Sequence, residues 1–279
     1  MPEAIRTGSR IHLGEFRRLG NTAAANAGSI HDDAPAQVLG FRGAFVPGSV
    51  VGAKALLAAT ALIGENWMER GWYDLTFVSP VYEDEEVREV GALATDTAEP
   101  SAEVRVETAA ARICCAGYAG LGDEIPWDES EDGLHGADVA LPGIPIGFEF
   151  GSCDFTVTTE DVAPMSIASG DDSPWYRTQS PWGGAVVPPE WLHKVALELS
   201  RTKRLTVSGI RNPGMWAGHA LALREPLFMN QQYTMTEHVA DKGLSGRAVF
   251  LTYQFRITNT AGAEVALGRH RVKWLAETT

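Results

Sequence analysis

Few side chains in this sequence combine a reactive type with a suggestive position. His31 lies in a loop, Asn26–Asp33, rich in Gly, Ser, Asp and Asn. An imidazole titrates near neutrality, so it can take a proton from water and return one. A second loop, Gly170–Tyr176, offers the carboxylate of Asp171 beside Asp172, and the phenol of Tyr176 as a hydrogen-bond donor. Taken singly, each has an ordinary explanation. Asn26 suits a turn, Asp171 ahead of Ser173-Pro174 suits a turn or helix cap, and Tyr176 suits a pocket wall. Cys114, Cys115 and Cys153 are too few for a disulfide framework and read as reduced, buried thiols. The seven histidines are scattered without zinc spacing, and no metal is expected. His193 and His219 read as structural or exposed.

The chain that positions these groups has 279 residues, enough for two packed units of about 100–150 residues. With 44% hydrophobic and 21% charged residues, it has the composition of a soluble folded protein. Its net charge of −13 repels nucleic-acid phosphate and anionic lipid, so neither is an expected partner. No run of eighteen residues lacks a charge, and the MPEAIRTGSR start has no apolar core. A cytoplasmic protein without a membrane span is expected.

The sequence repeats itself at roughly half its length. Gly43-Ala-Phe-Val-Pro-Gly48 matches Gly184-Ala-Val-Val-Pro-Pro189, and Leu75-Thr-Phe-Val-Ser-Pro80-Val81-Tyr82 matches Leu221-Ala-Leu-Arg-Glu-Pro226-Leu227-Phe228 at nearly the same offset. After the polar loop of each half comes a helix. Ser49–Met68 is apolar almost all round, interrupted only by Lys54 before Glu65, and must be wrapped by other structure. The second helix starts at Pro188-Pro-Glu-Trp and carries a stripe of Trp191, Leu192, Val195, Ala196 and Leu199. Strand-like runs follow each helix: 72–77, 87–95, 102–111 and 113–118, then 221–223, 232–239, 246–257 and 265–274. Two α+β units are expected, at 1–120 and 149–279. The link, 121–148, is expected to run solvated over the surface, with seven carboxylates and no Lys or Arg between Asp123 and Asp138.

The duplicated plan resembles the tandem (double) hot-dog fold, in which each half wraps a curved antiparallel sheet around a central helix. At the loops it resembles the MaoC-like (R)-specific enoyl-thioester hydratases and 3-hydroxyacyl-thioester dehydratases, whose pattern is G-D-x-N-P-x-H, then G-F-x-G and H-G at the helix start. Here the first half reads Asn26-Ala-Gly-Ser-Ile-His31-Asp32-Asp33, Gly40-Phe41-Arg42-Gly43 and Val46-Pro47-Gly48. The second reads Gly170-Asp171-Asp172-Ser173-Pro174-Trp175-Tyr176 and Val187-Pro188-Pro189. The resemblance implies a water held between carboxylate and imidazole, with a glycine N–H at the helix start gripping the thioester carbonyl.

Position by position, His31 matches the family histidine and Gly48 the helix-start glycine, while Asn26 stands at the aspartate position. In the second half Asp171 matches the aspartate, Tyr176 replaces the histidine, and Pro189, which has no N–H, replaces the glycine. The first half therefore keeps a base and an oxyanion donor and is the expected working site, with His31 as general acid/base and Asn26 holding substrate or water.

The implied substrate is an acyl thioester carried by coenzyme A or by the phosphopantetheine of an acyl carrier protein, with no further cofactor. Arg201, Lys203 and Arg204 are candidate contacts to its phosphates. A homodimer is possible. Trp175, Trp182, Trp191 and Trp216 are either core or the lining of a substrate tunnel. Three other readings stand: an isomerase or cyclase using the same pocket, a catalytically silent partner of an intact dehydratase, and a hot-dog thioesterase. The last needs an acid on the central helix; the first helix has none from Ser49 to Gly64, and only Glu190 and Glu198 keep the option open.

Overall fold

The computed structural model describes residues 10–26, 28–94, 97–122, 125, 134–136, 141, 143–208 and 214–275, with the side chains of 202–208 and 275 left out. In the first half come β1 (Ile11–Leu13), β2 (Arg17–Arg18), α1 (Asp33–Val38), α2 (Gly48–Ile63), α3 (Trp67–Arg70), β3 (Gly71–Phe77), β4 (Glu86–Leu93), β5 (Ser101–Thr108) and β6 (Ile113–Leu121). After β7 (Leu134–His135) and β8 (Glu149–Thr156) come α4 (Thr159–Ser169), a 3-10 turn (Pro174–Tyr176), α5 (Pro189–Ser208), β9 (Met215–Leu223), β10 (Gln232–Ser245), β11 (Ala248–Asn259) and β12 (Glu264–Leu275).

The strands form one antiparallel sheet in the order β1-β4-β5-β6-β3-β9-β12-β11-β10-β7, with β2 beside β4 and β8 beside β10. The halves join where β3 meets β9. There Asp74 faces Ala220, one position before the matched Leu75 and Leu221 of the repeat. A residue that pairs with its own equivalent lies on the pseudo-two-fold axis, so the sequence duplication becomes a symmetry of the sheet. The same repeat is visible at the helix entries, where Val46 N–H bonds to Val81 O and Val187 N–H to Leu227 O.

Helix α2 is buried along nearly its whole length, with Val50, Ala55, Ala58 and Ala59 at 0% exposure against β4, β5 and β6. Its one charge is neutralised internally, Lys54 Nζ lying 2.5 Å from Glu89 Oε2. The helix is shorter than the expected Ser49–Met68. Gly64, at φ 93°, turns the chain out, its N–H closing on Thr60 O, and α3 restarts three residues later.

Strand β8 and helix α4 were not expected. Thr158 and Asp161 cap α4 reciprocally, and Gly170 ends it at φ 73°. A side chain at 170 would also strike the Arg17 guanidinium, which bonds to Gly170 O at 3.0 Å. The expectation of a link solvated throughout also needs correction. Ile125 packs with Trp72 and Ala222, Ile144 is fully buried with Phe150 and Trp274, and Leu134–His135 pairs with β10, so apolar residues pin the link to the sheet. All seven of its carboxylates lie outside the described residues. Among the described residues, no helix is long and apolar enough to cross a membrane.

Candidate functional site

A cavity of about 980 Å³ lies where the first-half loops meet α5 of the second half. Its wall includes His31, Asn26 and Gly48, brought together from separate stretches of sequence, and Arg201 from α5. Helix α5 contributes Trp191, Lys194, Leu197, Glu198 and Arg201, whose spacing of three and four residues is one helical face. Of this wall the sequence marks only Trp191, Arg201 and, as an acid on the second helix, Glu198; Lys194 and Leu197 are added by the structure. The periodic signal at 191, 194, 198 and 201 was there to be read. Lys203 and Arg204 lie further along α5, their side chains outside the described residues.

The loop holds His31 firmly. Its N–H bonds to Ser29 Oγ at 3.2 Å, and its carbonyl accepts from Asn21 Nδ2 at 3.0 Å. On the ring, Nδ1 lies 2.7 Å from the Phe45 carbonyl. A carbonyl can only accept, so Nδ1 carries the proton and Nε2 is left for a substrate. Burial pushes the imidazole pKa down, partly opposed by that same bond to Phe45. The neutral ring, a base, is the favoured form. Asn26 is exposed at the cavity's edge and offers an amide that cannot accept a water proton.

Gly48 is the first residue of α2, whose N-cap, Pro47, has no capping side chain. The first amides of a helix have no intrahelical acceptor, so the positive end of α2 opens on the cavity. A Cβ at 48 would lie 3.1 Å from Trp216 and 3.2 Å from Phe77, so glycine lets the helix start seat against these rings.

Asp171 and Tyr176 are not at this cavity. They border a separate void of about 20 Å³ with Ala53, Leu56, Thr60, Pro188, Pro189 and Glu190, which is room for about one water. Burial raises the Asp171 pKa, although its Oδ1 accepts from Ser173 N–H. The Asp171 and Tyr176 loop therefore faces a space too small for an acyl thioester. Of the four tryptophans proposed as a tunnel, Trp191 and Trp216 line the large cavity. Trp175 and Trp182 instead pack edge to face on one another at 5.4 Å.

Between the two spaces lies a buried polar cluster that sequence reasoning read only as single residues. Glu190 and His193, three apart and so on one face near the start of α5, meet His219 of β9. Glu190 Oε2 is 2.7 Å from His219 Nδ1, and His193 Nε2 is 3.0 Å from the Tyr73 hydroxyl. The two imidazoles stack at 4.0 Å with an interplanar angle of 4°. Burial, then the facing His219 and His270, hold the His193 pKa well below its ordinary value. Three His and Glu donors within 4.8 Å of one another would suit a metal by type. Ring nitrogens point their lone pairs in the ring plane, and two parallel, separated planes share no point, so these rings do not aim at one ion.

No protein-family model and no curated protein matches the sequence. Solved structures do match. A MaoC domain dehydratase from Chloroflexus aurantiacus superposes with a TM-score of 0.66 at 11% identity, over 97% of this chain and 96% of that one. A Mycobacterium tuberculosis protein described as having a double hotdog fold gives 0.60 at 12% identity, over 96% and 97%. An oleoyl thioesterase from Lactobacillus plantarum gives 0.56 at 9% identity, over 98% and 100%. At such identities the likeness establishes the fold, a double hot-dog, and leaves the reaction to be argued from the site.

Proposed function

We propose that this double hot-dog chain is a MaoC-like hydratase or dehydratase acting on an acyl thioester, with proton transfer centred on His31. The observation that carries the reading is the meeting, in one cavity, of a neutral histidine whose Nδ1–H is committed to Phe45 and an uncapped helix start at Gly48. In the hydration direction, Nε2 of His31 takes a proton from water as its oxygen bonds to C3 of a 2-enoyl thioester. The electron pair of the C2–C3 double bond moves toward the thioester oxygen, where the first amides of α2 stabilise the enolate. The imidazolium then returns the proton to C2. Dehydration is the reverse. Asn26 orients the water, and Lys194 and Arg201 suit the phosphates of coenzyme A or phosphopantetheine.

Following the loss of conjugated absorbance of trans-2-enoyl thioesters tests the reading. Turnover that disappears in His31→Ala supports it; no turnover with enoyl or 3-hydroxyacyl thioesters of any length overturns it. The amide at Asn26 favours one second reading, in which His31 moves a proton within the substrate, giving isomerisation or ring closure without added water. That reaction would leave no hydrated product by mass spectrometry. A thioesterase using Glu190 is disfavoured, because that carboxylate is 1% exposed and bonded to His219.

A further inference from the structure

We propose that the acyl group accepted by this cavity is bulky and apolar, of about a dozen carbons or a fused ring of similar size. The inference rests on the acyl-thioester reading for the carrier and on the cavity itself for the group. At about 30 Å³ for each water-sized unit, 980 Å³ has room for on the order of thirty such units. That volume is shared with the pantetheine arm of the carrier, and beside it a four-carbon chain would leave much of the aromatic wall uncovered.

The wall has the matching chemistry. Phe41, Phe45, Phe77, Trp191, Trp216 and Trp274 all border the cavity. Its charged side chains come from α4, α5 and β12, as Asp161, Lys194, Glu198, Arg201 and Lys273. A thioester carbonyl gripped at Gly48 sits beside Phe77 and Trp216, so the attached chain meets aromatic rings at once. Those two rings are also fixed from behind. Both stand edge-on to His219, at 4.9 and 4.5 Å, and His219 is held by Glu190. A wall already ordered costs the ligand little on binding.

The test is a binding titration that needs no turnover. Saturated butanoyl, octanoyl, dodecanoyl and hexadecanoyl thioesters, and a fused-ring acyl thioester, are added to the full chain while tryptophan fluorescence or calorimetry reports Kd. Kd is expected to fall by up to roughly fourfold per methylene and to keep falling to at least the dodecanoyl compound. The ring compound distinguishes flat from extended ligands, and tight binding of either kind supports the proposal. A Kd that stops improving beyond butanoyl, with no gain for the ring, overturns it. Ala217→Trp, which adds bulk to the cavity wall, is expected to weaken dodecanoyl binding at least tenfold; Met215→Trp serves if the first variant does not fold. If long chains bind tightly but no enoyl thioester is turned over, the reaction is wrong and the pocket inference stands. If turnover occurs with no gain in binding beyond butanoyl, the reverse holds.

Discussion

In the proposed reaction His31 is the base, and its burial makes the rate depend on pH. Burial disfavours the imidazolium, so the folded chain binds this proton less readily than the unfolded chain does. The base form should persist below the ordinary imidazole value of 6.5, and the acid limb of kcat/KM for hydration should fall at a lower pH than that. A limb above 6.5 would show that another group controls the rate. The same shift acts on stability. The contribution tied to neutral His31 is complete above about pH 6.5 and is lost as the pH falls through the lowered value, because the unfolded chain then takes up more protons. Urea melts of wild type and His31→Asn should therefore converge as the pH is lowered. Asn26 gives the opposite kind of prediction. Asn26→Asp supplies the carboxylate that a water-handling pair lacks, and hydration of an enoyl thioester should rise about tenfold to a hundredfold. An unchanged rate would place Asn26 outside the reaction.

At the scale of elements, the second-half helix start has been turned inward. Where α2 opens its first amides onto a cavity, α5 begins with Pro189 and aims Glu190 at His219, closing its end around a void of about 20 Å³. Gly52 of α2 is what admits it, since a Cβ there would lie 2.5 Å from the Glu190 carboxyl carbon. His219→Ala would remove one hydrogen-bond partner of that buried carboxyl and should cost about 1–3 kcal/mol in urea denaturation, with His219→Gln, which can still donate, recovering part. A loss below about 1 kcal/mol would mean that water reaches Glu190. Much of this scale was legible. The paired blocks at 43–48 and 184–189 predicted two helix starts, and the β-rich runs predicted most strands within a few residues. Strand β8 was missed because Glu149-Phe-Gly-Ser-Cys-Asp-Phe-Thr alternates weakly, with glycine and cysteine where large apolar residues would mark a buried face. Helix α4 was missed despite its Thr158–Asp161 cap, because Pro164 lies inside it. The meeting of His31, Asn26 and Gly48 at one cavity was legible because each lies within a local motif. The Glu190–His219 pair was not, because its 29-residue separation is bridged only by folding.

Over the whole molecule, the cavity exists only because both halves share one sheet and one core. Strands β3 and β9 pair from Trp72–Ala222 to Thr76–Gly218, and a single apolar cluster holds Leu56 and Leu75 together with Leu192 and Leu221. Neither half can lose its partner without exposing a strand edge and an apolar helix face. A chain of this length often unfolds domain by domain, but that requires an interface weaker than either core, and here the interface is the core. Calorimetry of the full chain should therefore give one transition, with the calorimetric and van't Hoff enthalpies equal, and residues 149–279 expressed alone should self-associate through the freed edge of β9. Two resolved transitions, or a monomeric second half with a cooperative melt, would mean that each half folds by itself and that the cavity is a cleft between separable domains. Ligand provides a further check, since an acyl thioester bound between the first-half loops and α5 must raise the midpoint of the one shared transition.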